Sequence, residues 1–210
     1  MEDVHDIGGL GQHFNKRTPS EKSLRLASFY RILDGKKASV NELALQSGIT
    51  EQQAQQYIEA MARDGRLVID EQGAVVGSHG LSLLPTKHCL RIGGHDLFTW
   101  CAADAVGIPA ALGVDATIHS NCFQCNEPIE ITMSDGDVQS SNHADARIWV
   151  VEADLNCSIV GCTCPQINFF CSIEHFNKWN NGQITKGRLL TLEEGVKLGN
   201  CWWEDVKCKD

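Results

Sequence analysis

Long apolar runs are absent from this chain of 210 residues. No stretch approaches the roughly 20 consecutive apolar residues that a membrane-spanning helix needs. Positive charge is also scarce, because 18 Lys and Arg stand against 27 Asp and Glu, giving a net charge of −9. The basic face or stripe of a nucleic-acid binder is therefore not evident. Hydrophobic residues make up 42% and charged residues 21%, which excludes a disordered chain and is typical of a folded protein.

The first six residues, Met1 to Asp6, lack the basic and then apolar segments of a secretory signal. We therefore expect a cytoplasmic protein, in which thiols stay reduced. Cysteine is the abundant exception in the composition, with ten residues. In a reducing compartment, clustered cysteines more often bind metals or do chemistry than form disulfides. The known burial of free cysteine predicts that roughly half of the ten are core residues.

Three capped helices and a hairpin predict a winged-helix-like module over residues 20–85. The helix starts are marked by capping residues at Thr18 or Ser20, Ser39 and Thr50. Apolar runs on either side of Gly73 predict the hairpin. A winged helix usually contacts DNA through its third helix. Residues 20–85 hold seven Lys or Arg and eight Asp or Glu, so we favour a packing or interaction role over DNA binding.

The chain after Pro85 predicts a different architecture. Strands are predicted at 116–122, 129–133 and 147–152, and helices from Asp96, Ser172 and Thr191. We expect Pro109 to end or redirect the helix that contains it. The absence of a βαβ rhythm favours an α+β fold with mainly antiparallel strands. We divide the chain into a flexible tail (1–19), the winged-helix-like module (20–85) and an α+β catalytic domain (86–210).

The segment Trp100-Cys101-Ala102-Ala103-Asp104 places a thiol and a carboxyl three residues apart on a predicted helix, and therefore on one face. Near a helix start the dipole favours a thiolate. The apolar neighbours Phe98 and Trp100 would raise the pKa of the Asp104 carboxyl. The same spacing is common by chance, and a buried Cys beside a solvated Asp is the alternative interpretation.

Cys162 and Cys164 form a C-x-C pair in a proline-containing loop, where two thiols could present soft ligands to a thiophilic metal. Cys201 and Cys208 bracket Trp202-Trp203, and we assign these two cysteines to core packing and to the chain end. Neither motif specifies a reaction on its own.

Cys122 and Cys125 form a C-x-x-C pair, a spacing that zinc sites use. Cys171 and His175 could complete a set of four zinc ligands with them. The gap between the two pairs differs from that of a familiar zinc finger. We therefore favour the interpretation without zinc and leave the alternative open.

Several motifs occur in a fixed order along the chain. They are Trp100-Cys101-Ala102-Ala103-Asp104, Pro109-Ala110-Ala111-Leu112-Gly113, Ser120-Asn121-Cys122, Cys164 five residues before Phe169-Phe170, and Leu189-Leu190-Thr191-Leu192-Glu193-Glu194 with Leu198-Gly199. This order resembles the organomercurial (alkylmercury) lyase family. The resemblance spans roughly residues 20–205 and includes the winged-helix-like region. The ordered set is specific, whereas each piece alone is not.

The resemblance implies that Cys101 and Cys164 are mercury-binding thiols and that Asp104 is the carboxyl that handles the proton. Cys122 matches a family cysteine usually regarded as structural. The implied reaction is protonolysis of a carbon–mercury bond to a hydrocarbon and Hg(II), in mercury detoxification. The resemblance implies no required cofactor, mercury being substrate and product. Organomercurial small molecules, and small thiols or a mercuric reductase as Hg(II) acceptors, are the implied partners, with neither nucleic acid nor membrane.

The sequence departs from the family pattern at three thiols. Cys125, followed by Asn126-Glu127, stands where the family more usually has Thr-Gly, and Cys162 and Cys171 are additional. Cys162 is an alternative to Cys164 as the second mercury ligand. Because extra thiols could retain Hg(II), two other functions stay open. These are a non-catalytic thiolate protein that binds zinc or mercury, and a metal-responsive winged-helix regulator.

Overall fold

The computed structural model describes residues 18–152, 157–182 and 186–206. Its helices α1–α6 are Pro19–Leu33, Val40–Ser47, Glu51–Arg63, Ala102–Leu112, Ile173–Asn180 and Leu192–Trp202. Its strands β1–β11 are Leu67–Ile69, Val75–Ser78, Leu81–Ser82, His88–Ile92, His95–Thr99, Ala116–Asn121, Pro128–Ser134, Asp137–Ser141, Arg147–Val151, Asn168–Phe170 and Gly187–Thr191. No helix among the described residues is long and apolar enough to cross a membrane. Of the predicted tail, all but Thr18 and Pro19 lies outside these residues.

Local capping signals build the three N-terminal helices as the sequence predicts. Thr18, Ser39 and Thr50 each accept a hydrogen bond from the backbone N–H three residues later, and the side chain there binds back to the cap. These capping boxes satisfy backbone groups that a helix start leaves open. α2 ends at Gly48, which adopts the left-handed conformation. Hairpin β1–β2 follows α3, so the winged-helix-like arrangement is confirmed.

An eight-stranded sheet with every pairing antiparallel joins this module to the rest of the chain. Its strand order is β1-β2-β3-β5-β4-β6-β7-β8, and β10-β9-β11 form a second antiparallel sheet. The α+β class with mainly antiparallel strands is therefore confirmed. Phe29 and Ile32 of α1 belong to the same buried cluster as α4. Since one sheet and one core cross residue 85, the division at that point stays a prediction.

Helix α4 lies at the centre of the core and is buried from Ala102 to Ala111. It crosses α6 where two glycines meet, and a Cβ on Gly107 would lie 2.9 Å from the Cα of Gly199. The sequence predicts that Pro109 ends or redirects this helix, and the helix does not end there, because α4 continues to Leu112. Packing on all sides outweighs the one hydrogen bond that proline cannot donate.

The start of α4 also differs from the prediction of a helix beginning at Asp96. Residues His95–Thr99 form β5, which pairs with β4 through a turn at Gly93-Gly94. Leu97 and Thr99 are buried between more exposed neighbours, an alternation that suits a strand. The helix begins only at Ala102. This shift places Cys101 at the junction between a strand and a helix.

Candidate active site

Backbone contacts hold Cys101 and Asp104 side by side at the start of α4. Cys101 is the N-cap residue of the helix, and its Sγ accepts a hydrogen bond from the Asp104 N–H at 3.4 Å. The Thr99 hydroxyl donates to the Cys101 carbonyl at 3.1 Å, and the Trp100 N–H donates to the Gly80 carbonyl at 2.9 Å. The thiol and the carboxyl therefore share one fixed junction, as their spacing predicts.

A second, irregular segment brings Cys164 to the same place. The chain forms a wide helical turn at Ile159–Thr163 and a tight one at Cys164–Gln166, and such irregular helical turns are frequent at functional sites. The Ala102 N–H donates to the Ile167 carbonyl at 3.3 Å, which fastens this segment to the start of α4. One ligand atom each of Cys101, Asp104 and Cys164 lies within 4.8 Å of the other two. The three side chains are 1%, 5% and 5% exposed.

The Asp104 carboxyl occupies an enclosed setting that favours its protonated form. Burial raises the pKa of Asp104 to about 7, although hydrogen bonds with Cys101 oppose the rise. Among the described residues, none donates a hydrogen bond to its buried Oδ2. On its other side stands Gly80, at φ +99°, where a Cβ would lie 2.7 Å from Oδ1. Asp104 is thus a carboxyl that can both hold and release a proton near neutral pH.

Both thiols favour their protonated forms. Burial raises the pKa of Cys101 well above its usual value, and Cys164 and the Asp104 charge add to the rise. A hydrogen bond with Cys101 lowers the pKa of Cys164, but burial and Asp104 outweigh it. The Asp104 N–H at the helix start favours the Cys101 thiolate, as the sequence predicts, but burial outweighs this effect. Each sulfur must therefore release a proton when it binds a metal.

A pocket opens onto the three side chains. Its other lining residues are Arg25, Arg66, His79, Gly80, Trp100, Ile159, Thr163, Ile167, Trp202 and Trp203. His79 and Gly80 form the two-residue turn between β2 and β3, with φ of 47° and 99°. The Trp203 Nε1–H donates to the His79 carbonyl at 3.1 Å. The N-terminal module and the chain end thus form the walls of the pocket.

Of these wall residues, the sequence placed only Trp100 beside the thiol and the carboxyl. The guanidinium of Arg25 is buried and pairs with Asp205, and Arg66 pairs with Asp64 at 3.4 Å. The one local signal was the Ser-His-Gly segment between two apolar runs, which is typical of a tight hairpin turn. The other wall residues meet only through contacts between distant parts of the chain, and such contacts leave no local pattern in the sequence.

The other described cysteines lie outside this cluster. Cys162, the alternative second ligand, is joined to Cys157 by a disulfide, and Cys164 is the one that adjoins Cys101. Cys89 is exposed and Cys201 is half-buried, while Cys208 falls outside the described residues. The other three are Cys122, Cys125 and Cys171, which gather beside His175.

The chain is similar in sequence and in structure to alkylmercury lyases. The alkylmercury lyase family model matches residues 81–204. The alkylmercury lyases of Bacillus cereus and Clostridium butyricum are each 30% identical over 192 residues, which cover 90% of this chain and 86% of theirs. That of Streptomyces lividans is 32% identical over 168 residues, covering 80% and 76%. A crystal structure described as the mercury-bound form of MerB2 gives a TM-score of 0.86 at 31% identity, covering 98% of this chain and 100% of that one.

Proposed function

This chain belongs to the alkylmercury lyase family, and we propose that Cys101, Cys164 and Asp104 are the residues with which it breaks the carbon–mercury bond. One observation carries the proposal, the convergence of two thiols and a carboxyl of raised pKa within 4.8 Å at one pocket. All three residues lie within the segment that the family model matches. A relative that was solved with mercury bound supports it further.

The two thiols bind the mercury atom of the substrate. Thiolates are soft ligands that suit a thiophilic metal, and two of them weaken the bond from mercury to carbon. Burial raises the pKa of Cys101, and the Asp104 N–H at the start of α4 offsets part of that rise by donating to its sulfur. We place the first mercury–sulfur bond at Cys101. Its proton leaves with the ligand that the organomercurial carried into the pocket.

Asp104 transfers the second proton to carbon. As the Cys164 sulfur binds mercury, its proton passes to the Asp104 carboxylate and from there to the departing carbon. The carbon–mercury bond is replaced by a carbon–hydrogen bond, and two sulfur–hydrogen bonds are replaced by two mercury–sulfur bonds. A carboxyl whose pKa is about 7 can accept and donate within this cycle at neutral pH. Asp104 is regenerated at the end of the reaction.

Release of the product requires other thiols. Hg(II) held between Cys101 and Cys164 can leave by ligand exchange, so small thiols or a mercuric reductase are the acceptors that we propose. The cycle needs both thiols reduced, which favours the cytoplasm as its location. Mercury enters only as substrate and product, and these steps need neither a resident cofactor, a nucleic acid nor a membrane.

The experiment is hydrocarbon release from a methylmercury or phenylmercury salt in the presence of excess thiol. We expect methane or benzene from the purified protein, and none from Cys101→Ser, Cys164→Ser or Asp104→Asn. Cys162→Ser is the matched control, because it changes a cysteine of the same segment that lies outside the cluster and pairs with Cys157, and it should retain release. Hydrocarbon no faster than with thiol alone contradicts the activity. Retained release in Cys164→Ser, with loss in Cys162→Ser, reverses the assignment of the second ligand.

A binding measurement separates mercury binding by the two thiols from proton donation by Asp104. Native mass spectrometry should detect one mercury on Asp104→Asn, because both thiols remain, although this variant releases no hydrocarbon. Loss of mercury binding in Asp104→Asn would show that the carboxyl supports the site and does not act as the proton donor.

A further inference from the structure

A second cluster of soft ligands lies outside the pocket. Cys122 and Cys125 belong to the turn between β6 and β7, and Cys171 follows β10. His175 is on the first turn of α5. One ligand atom from each of the four residues lies within 4.8 Å of the others, and none of the four lines the pocket at Cys101.

The spacing of the donor atoms suits one tetrahedral ion. The Sγ atoms of Cys125 and Cys171 are 3.7 Å apart, and Cys122 Sγ lies 3.9 Å from His175 Nδ1. Zinc bonds of about 2.3 Å to sulfur and about 2.0 Å to nitrogen place tetrahedral ligand atoms roughly 3.5–3.8 Å apart. The third separation, from Cys171 Sγ to His175 Nδ1, is a hydrogen bond of 2.9 Å. A metal between these two atoms would open it by less than about 1 Å.

Backbone hydrogen bonds fix both ligand segments. The Asn126 N–H donates to the Cys122 carbonyl at 2.9 Å, which closes the C-x-x-C turn. Asn126 itself adopts the left-handed conformation at φ +63°. On the other segment, the Ser172 hydroxyl accepts from the His175 N–H at 3.2 Å and caps α5. Because the donors are held by local structure, binding an ion requires little further ordering.

The cluster is shielded on one side and open on the other. Cys122 and Cys171 are buried, whereas Cys125 is exposed and His175 is half-buried. An ion could therefore enter from solvent and then lose most of its water. Four protein ligands leave no open coordination position, which is characteristic of structural zinc and not of catalytic zinc.

We propose that Cys122, Cys125, Cys171 and His175 bind one zinc ion as a structural site. Binding displaces the thiol protons to water and leaves the histidine neutral. The ion would fasten the turn after β6 of the large sheet to the segment that follows β10 of the small one. This role accounts for Cys125 and Cys171, which the mercury chemistry does not use. The proposal is independent of the activity at Cys101.

The metal content of the unmodified protein tests the proposal directly. The full chain, produced in zinc-containing medium and purified under reducing conditions without chelator, should carry one zinc by native mass spectrometry and elemental analysis. Exchange for Co²⁺ should give the visible absorption of tetrahedral, thiolate-ligated cobalt. Protein that carries no zinc and gives no such spectrum overturns the proposal. A disulfide between Cys125 and Cys171 in that protein, found by peptide mapping, also overturns it.

Variants then locate the ion. Cys125→Ser and His175→Asn should each weaken zinc binding by more than about 100-fold. Mutation of residues that only hydrogen-bond to metal ligands already lowers metal affinity roughly 10- to 100-fold. Cys89→Ser is the matched control, because Cys89 is an exposed cysteine outside both clusters, and it should keep the zinc. Cys101→Ser should keep it as well. Zinc that is lost in Cys101→Ser and retained in Cys125→Ser overturns the proposal. If a variant does not fold, the cobalt spectrum of the unmodified chain decides whether the proposal holds.

Discussion

Gly80 and Asp104 are in contact across the pocket, so closely that a Cβ on Gly80 would lie 2.7 Å from the carboxylate Oδ1 and 2.8 Å from Cγ. The contact joins the β2–β3 turn to the start of α4. A side chain at residue 80 would have to displace the carboxyl from the two thiols. The turn therefore fixes the position of the group that we propose as the proton carrier.

Gly80→Ala is expected to lower kcat/KM for hydrocarbon release by roughly 10- to 100-fold, since a displacement of about 1 Å can cost this much. Gly73→Ala is the matched control. Gly73 also has a positive φ, +79°, but a Cβ there meets nothing within 4 Å. The backbone strain is therefore similar, whereas the contact with Asp104 is missing. Equal losses in the two variants would show that strain, and not displacement of the carboxyl, is responsible.

Asp104→Asn is expected to stabilise the fold above neutral pH. The pKa of Asp104 is raised from 3.8 to about 7, so the folded state holds this proton more tightly than the unfolded one. The resulting stability is fully present below about pH 4 and is lost as pH rises through about 7. Ionised Asp104 then costs on the order of 4 kcal/mol, which asparagine avoids. Urea unfolding should show that the difference in free energy of unfolding between the two proteins widens from about pH 4 to about pH 7. A difference that does not change with pH would contradict this expectation.

Cys101 and Cys164 are expected to react slowly with iodoacetamide at neutral pH, although they adjoin a pocket. The thiolate is the reactive form, and burial raises the pKa of both residues. The exposed Cys89 serves as the internal reference. Peptide mapping over time should show Cys89 modified first. Modification of Cys101 at the rate of Cys89 would show that its thiol is not protonated as described.

Gly199→Ala is expected to destabilise the fold by about 1–3 kcal/mol through overpacking. An exposed helical glycine would gain about 1 kcal/mol from the same change. Here the new Cβ would lie 2.7 Å from the carbonyl oxygen of Gly107. Urea unfolding measures the sign of the change in free energy of unfolding directly. A variant more stable than the unmodified protein would contradict the close crossing of α4 and α6. Hydrocarbon release should fall as well, because α4 carries Cys101 at its start.

The features that could be predicted from the sequence are those whose causes are local. Each cap of α1 to α3 lies three residues from the N–H group that it satisfies. The Cys101 sulfur is likewise three residues from the Asp104 N–H that donates to it. The strand at His95–Thr99 could not be predicted in this way, because pairing with β3 and β4 decides it. β8 was also missed, since its residues are mostly exposed and show no apolar alternation.

Each of the two cysteine clusters depends on contacts between segments distant in the chain. Cys101 and Cys164 could be placed together only through the family resemblance, because the Ala102 contact to Ile167 leaves no trace in spacing. The C-x-x-C and C-x-x-x-H pairs were visible separately. Their union depends on β10 lying beside the end of β6, where the Phe123 N–H donates to the Phe169 carbonyl at 2.9 Å.

The wall that the N-terminal module contributes to the pocket has an evolutionary consequence. Arg25 lies on α1, Arg66 just before β1 and His79 in the turn after β2, all far upstream of Cys164, yet the three face the same cavity. Selection for a bulkier or more polar substrate can therefore act on residues of the winged-helix-like module, whose fold in other proteins usually contacts DNA. A mutant library confined to the neighbourhood of the thiols would leave that wall unsampled, and a chimera exchanging the first eighty residues between relatives should exchange substrate preference with them.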